Sequence, residues 1–170
     1  MATYQIDNAH SDVNFKVKHL AISNVSGSFS RFSGTVTADA PDFSDALVNF
    51  TIDVDSILTG NEQRDQHLKS ADFFETEKYP QLTFVSRKLA DGKLTGDLTI
   101  RGVTREVELD VEYNGTVTDP YGQTKAGFEV NGKINRQEFG LTWSALTEAG
   151  GLLVGNDIKL QANIQLVKQA

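Results

Sequence analysis

Apolar and polar residues alternate along most of this chain. Val13, Phe15, Val17 and His19 share one face of an extended segment, with Asn14, Lys16 and Lys18 on the other. Val48, Phe50, Ile52 and Val54 alternate with Asn49, Thr51, Asp53 and Asp55. Leu94, Leu98 and Ile100 form a third run, with Gly96 between them, and Val103, Val107, Leu109, Val111 and Tyr113 a fourth. Ala126, Phe128, Val130 and Ile134 follow, and Ile158, Leu160, Ala162, Ile164 and Leu166 close the chain. A period of two with one apolar face predicts half-buried antiparallel strands. Weaker runs at 4–6, 25–38 and 81–87 predict more, for eight or nine strands. Two all-β architectures satisfy that pattern, a two-sheet sandwich and a closed barrel.

Turn residues punctuate the strands. Arg101-Gly102 reads as a tight hairpin turn between two alternating runs. Asn114-Gly115 and Asp119-Pro120-Tyr121-Gly122 mark a longer turn. The polar segment 59–69 breaks the period and predicts a short helix with Asn61 as N-cap. Residues 70–74 continue it as a further helical turn or a loop. A second irregular stretch covers 137–152 and ends in Ala149-Gly150-Gly151. There is no internal repeat, low-complexity tract or linker, so 1–170 reads as a single domain.

Composition narrows the function classes. The 23 acidic residues outnumber the 16 basic ones, for a net charge of −7. That balance opposes non-specific nucleic-acid binding, which needs a basic footprint, and docking on anionic lipid by charge alone. Cysteine is absent, which excludes disulfides, thiolate metal sites and thiol catalysis. No apolar run reaches the ~18 residues of a membrane-spanning helix. No basic-then-apolar leader opens the sequence. The expected location is therefore cytoplasmic as the chain is written, or periplasmic if Met1 replaces a removed leader.

Few residues offer chemistry. His10, His19 and His67 lack metal-ligand spacing, and no metal site is predicted. No serine lies in Gly-x-Ser-x-Gly, phosphate-binding loops are absent, and Asp53 and Asp55 read as solvated strand surface. What accumulates is apolar bulk: ten phenylalanines and one tryptophan. A small barrel is either filled by such side chains or hollow around one ligand. Arg64 and His67, three apart on the predicted helix, share a face. They either pair with neighbouring groups or form a polar mouth.

Ordered motifs extend this reading. Asp7-x-x-His10-Ser11-x-Val13-x-Phe15-x-Val17-x-His19-Leu20 resembles the opening of the YceI-like family, and Val25-x-Gly27-x-Phe29-x-x-Phe32-x-Gly34 its continuation. Ile52-Asp53-x-x-Ser56-Ile57-x-Thr59-Gly60-Asn61-x-x-Arg64-Asp65-x-His67-Leu68 resembles its central signature. Ser70-x-Asp72-Phe73-Phe74, Tyr79-Pro80-x-Leu82-x-Phe84-x-Ser86 and Gly96-Asp97-Leu98-Thr99-Ile100-x-Gly102-Val103-Thr104 follow in family order. So do Ile134-Asn135-Arg136-x-x-Phe139-Gly140-Leu141 and Leu153-Val154-Gly155-Asn156. Where some relatives carry Asp-Glu after the late Val-Gly, this chain has Asn156-Asp157.

The resemblance implies an extended, lipocalin-like antiparallel β-barrel of about eight strands with one short helix. It implies a bound isoprenoid-type lipid, such as an isoprenoid quinone or polyprenyl phosphate, held along the interior. No catalytic residue, cofactor or metal follows from it. The expected tail contacts are Phe15, Val17, Phe29, Phe32, Phe50, Ile52, Phe73, Phe74, Phe84, Ile100, Phe128 and Trp143. The expected head-group donors are His19, Asn61, Arg64, His67 and Arg136. Two alternatives stay open, an enzyme acting on such a lipid and a stress-linked barrel with a filled interior. Barrel-edge or loop contacts would allow a homodimer.

Overall fold

The computed structural model describes residues 1–20, 22–143 and 154–170. Among them, eleven strand segments form one antiparallel sheet: β1 (Ala2–Ile6), β2 (Asp12–His19), β3 (Ser23–Phe29), β4 (Phe32–Ala38), β5 (Leu47–Asp53) and β6 (Ile57–Leu58), then β7 (Gln81–Ala90), β8 (Lys93–Ile100), β9 (Val103–Thr118), β10 (Thr124–Asn135) and β11 (Val154–Lys168). Among the described residues a single α-helix, α1 (Glu62–Lys69), joins β6 to β7.

The first six segments are three long strands, each broken once. β1 and β2 both pair with β11, β1 through Tyr4↔Lys168 and β2 through Phe15↔Leu160. β3 and β4 likewise pair with β2 and β1, and β6 and β5 with β3 and β4. The breaks are stitched to one another. Asp7 caps the 3-10 turn Asn8–His10 by accepting the Ala9 N–H at 3.1 Å. The Asn8 side-chain amide donates to the Phe32 carbonyl at 2.6 Å, and the Arg31 N–H to Ser56 Oγ at 3.0 Å. Counting each broken strand once gives eight antiparallel strands in a meander, and β11 pairing back to β1 and β2 closes the barrel. Of the two architectures that alternation allows, closure selects the barrel, which leaves no long free edge.

Local chemistry explains the ends. Arg101 and Gly102 both have positive φ, 51° and 74°, the primed-turn geometry that suits a two-residue hairpin. Asn114-Gly115 is not a turn. It lies inside β9, where the register against β10 shifts and Gly115 (φ 116°) faces Gly127. The glycine serves a β-bulge, and the turn itself falls at Asp119–Gln123, where Asp119 accepts the Tyr121 and Gln123 N–H groups. Asn61 caps α1 by accepting the Arg64 N–H at 3.0 Å. Of the irregular stretch 137–152, the part from 144 onward lies outside the described residues.

α1 and the turns at 100–103 and 135–136 gather at one end of the barrel, called here the helix end. The β4–β5 loop, the β7–β8 and β9–β10 turns and both chain termini gather at the other. One core cluster holds Phe29, Val54, Ile57, Phe139 and Leu141 at the helix end and runs along the barrel wall as far as Leu94. A smaller one surrounds Phe43, Ala126 and Leu166 at the opposite end.

Candidate ligand-binding cavity

Inside the barrel the inward side chains do not fill all the space. They leave a cavity of about 190 Å³ inside the barrel. Its wall is almost wholly hydrocarbon. Val107, Leu109 and Val111 of β9, Phe128, Val130 and Ile134 of β10, and Leu160, Ala162 and Ile164 of β11 form one side. Phe50 and Ile52 of β5, Leu82 and Phe84 of β7, and Leu94, Leu98 and Ile100 of β8 form the other. Asn14 and Gln161 are the polar members of the lining, and the Asn14 amide donates to Gln161 Oε1 at 3.2 Å.

Small residues shape the wall. Ala162 puts one methyl on the inner face of β11, where it lines the cavity. Gly132, on the inner face of β10, leaves room for a wall residue: a Cβ there would lie 2.4 Å from Leu109 Cδ2. Apolar cavities of this kind stay dry and take apolar guests. Left empty, a void of about 190 Å³ forfeits about 4–5 kcal/mol, at about 24 cal/mol per Å³.

Six of the expected tail contacts line the cavity: Phe29, Phe50, Ile52, Phe84, Ile100 and Phe128. Phe15, Val17, Phe32, Phe73, Phe74 and Trp143 are outside its lining. Phe32 is core, its ring 6.0 Å from Phe50. Phe73 and Trp143 pack against His67, with ring centroids at 5.1 and 4.7 Å. Phe74 packs on Phe29, and Phe15 lies over Gly27. The sequence reading favoured aromatic residues. It passed over the aliphatic residues of the same strand faces, which carry most of the lining and were already visible in the alternation. Phe43 was missed because no periodic signal surrounds it.

None of the five expected head-group residues lines the cavity. His19 ends β2, and Asn61 is occupied as a cap. Arg64 donates from Nε to Thr59 Oγ1 at 2.8 Å and from Nη2 to the Thr59 carbonyl at 2.6 Å. The same threonine donates its N–H to buried Asp65 at 3.0 Å. His67 Nε2 meets Asp72 at 2.8 Å. Arg136 is buried and makes four hydrogen bonds to main-chain carbonyls, those of Leu141, Trp143, Val154 and Gly155. Burial pushes its pKa down from the usual arginine value. Among the described residues no group of three or more metal-ligating side chains converges.

A closed eight-stranded antiparallel barrel around an apolar cavity is the lipocalin-like arrangement, a class defined by what its interior can hold. Within that class the chain belongs to the YceI-like family, whose YceI-like domain matches residues 4–166. A UPF0312 protein of Staphylococcus aureus (strain USA300) is 42% identical over 166 residues, covering 97% of each chain. The crystal structure of the Campylobacter jejuni YCEI protein superposes with a TM-score of 0.75 at 37% identity, covering 96% of each chain. A polyisoprenoid binding domain from Saccharophagus degradans, implicated in plant cell wall breakdown, shares the fold with a TM-score of 0.73 at 16% identity, over 98% of each chain.

Proposed function

We propose that this protein is a non-catalytic binding or carrier protein for an amphiphile with a long apolar tail, a polyisoprenoid, held in the barrel cavity. The observation that carries this reading is the cavity wall itself: hydrocarbon on every side, with two amides as its polar members. Each methylene taken from water into it contributes roughly 0.8 kcal/mol, so one five-carbon isoprene unit gains about 3–4 kcal/mol before ordering costs. Contacts of that kind select the length and girth of a tail. The name of the Saccharophagus degradans domain, which shares this fold, supports the isoprenoid class.

The chemistry available for catalysis is sparse. The His10–Asp7 and His67–Asp72 pairs stand at the surface, outside the cavity lining. The test is organic extraction of the purified protein with mass spectrometry of the extract, and addition of isoprenoids to stripped protein. A near-stoichiometric isoprenoid or quinone, or tight rebinding, is the expected result. An empty extract together with no rebinding would favour a filled barrel without a ligand.

A further inference from the structure

We propose that the outer face of β10, β11 and β2, with the adjoining β2–β3 turn, docks on an anionic lipid surface. Docking there brings the barrel to the bilayer that supplies or receives its amphiphile, a purpose that rests on the reading that the cavity holds an apolar tail.

Three lysines stand directly opposite one another across three neighbouring strands. Lys133 of β10 is the register partner of Lys159 of β11, and Lys159 is the register partner of Lys16 of β2. Register partners point to the same side of a sheet, with Cβ atoms about 4.5–5.5 Å apart. All three are exposed, as is Lys18, which follows Lys16 on the same outer face. Asp157 stands 3.8 Å from Lys133. Among the described residues Lys16, Lys18 and Lys159 make no ion pair. Like charges set directly opposite destabilise a sheet, so this row is held at a cost to folding. Elsewhere the outer wall pairs its charges across strands, Lys93 with Asp110 and Arg87 with Asp97 and Glu106.

The lysines lead into an apolar turn. Past Lys18 the chain reaches Leu20 and Ile22, which are 38% and 83% exposed. The Ile22 N–H donates to the His19 carbonyl at 3.2 Å, which holds Ile22 at the turn. A row of cations beside an exposed apolar tip suits a bilayer interface: the tip enters the acyl boundary while the ammonium groups meet lipid phosphates. The other strongly exposed apolar residues lack that company. Val117 and Tyr121 follow the exposed acidic row Glu106, Glu108, Asp110 and Glu112 of β9. The net charge of −7 does not cancel the lysine row, because screening confines each charge to about 8 Å at physiological ionic strength.

The first test is partition of the stripped protein onto vesicles of phosphatidylcholine alone and of equal parts phosphatidylcholine and phosphatidylglycerol. Each lysine near an anionic leaflet contributes roughly five-fold. Binding to the phosphatidylglycerol vesicles is therefore expected, weakening as salt rises. The Lys16→Glu/Lys159→Glu double variant is expected to lose roughly twenty-fold or more, and Ile22→Ser several-fold. Lys88→Glu/Lys168→Glu makes the same charge change at exposed positions of the opposite end. It is expected to lose less than about three-fold, because those sites lie beyond the screening distance. Equal losses in the two double variants would show that net charge alone decides, and would overturn the assignment. So would equal binding to both kinds of vesicle, or binding to neither, which would leave the row to an acidic protein partner. Lys159→Glu converts two like-charge pairs into opposite ones, so its urea midpoint is expected to rise; lost docking is then not lost folding.

The second test locates the contact. The chain has no cysteine, so Ile22→Cys and Tyr121→Cys each accept one environment-sensitive dye. With phosphatidylglycerol vesicles the dye at 22 is expected to shift to the blue and the dye at 121 to stay unchanged. The reverse would overturn the proposal. Ala162→Phe, which fills the cavity, is expected to dock as the native protein does. Docking without tail binding would overturn the cavity reading alone, and tail binding without docking would overturn this surface alone.

Discussion

The Arg136 guanidinium donates its Nε–H to the main-chain oxygen of Gly155 at 2.8 Å. Its Nη1 reaches the Leu141 and Trp143 carbonyls at 2.6 and 2.7 Å, and its Nη2 the Val154 carbonyl at 3.2 Å. One side chain, 2% exposed, therefore ties the chain leaving β10 to the chain entering β11. Replacing it strands several buried carbonyls. Arg136→Met is expected to lower unfolding free energy by roughly 3–5 kcal/mol in urea titrations. Arg136→Lys recovers only part, because an ammonium lacks the planar fork. A head-group role predicts instead that the loss appears in affinity for charged-head ligands over neutral ones.

Filling the cavity separates binding from folding. Ala162 lines it from β11. Ala162→Phe places a ring in space the wall leaves open. Unfolding free energy is expected to hold or rise by about 0.5–2 kcal/mol, while binding of a long-chain alcohol falls at least ten-fold. A large stability loss with binding retained would mean that this position is tightly packed.

Acid sensitivity should concentrate in the latch beside the first strand break. The Asp7 carboxyl is held below its usual pKa, first by its hydrogen bond with His10 and then by Lys125. Asp119 is likewise lowered, chiefly by the Gln123 N–H. Lys125 lies between them, 3.4 Å from Asp7 and 3.6 Å from Asp119. A carboxylate whose folded pKa is depressed adds stability above its unfolded value, and that stability is lost as pH falls through the folded one. The urea midpoint should therefore drop as pH falls below about 4. Asp7→Asn should show a lower midpoint at neutral pH and a flatter acid limb.

The helix start gives a smaller effect. Asn61 Oδ1 accepts the Arg64 N–H at 3.0 Å. Asn61→Ala is expected to cost about 1 kcal/mol, and Asn61→Asp much less, by thermal unfolding.

The barrel and its inward faces were legible because alternation is a direct consequence of a half-buried strand. Val107, Leu109 and Val111 point inward as their spacing requires. The Asn61 cap and the Arg101-Gly102 turn were legible because each needs a particular local chemistry. The strand breaks at residues 7–11, 30–31 and 54–56 were not. They are fixed by bonds across the sheet, such as Asn8 to Phe32, which local pattern does not carry. Likewise Asn114-Gly115 has turn composition but a bulge's place, decided by its facing partner Gly127. The head-group assignment followed polar residues near α1. Whether an arginine faces a lumen or, like Arg136, closes a loop depends on carbonyls brought together by the fold.

The most direct measurement is contact between a bound tail and the wall. With valine and isoleucine methyls labelled in otherwise deuterated protein, geranylgeraniol is added and intermolecular nuclear Overhauser effects are recorded. Contacts from its methyls to Val107, Val111, Val130 and Ile164 are the predicted result. Contacts confined to exposed residues such as Ile22 and Val117, with the interior methyls silent, would contradict a ligand inside the barrel.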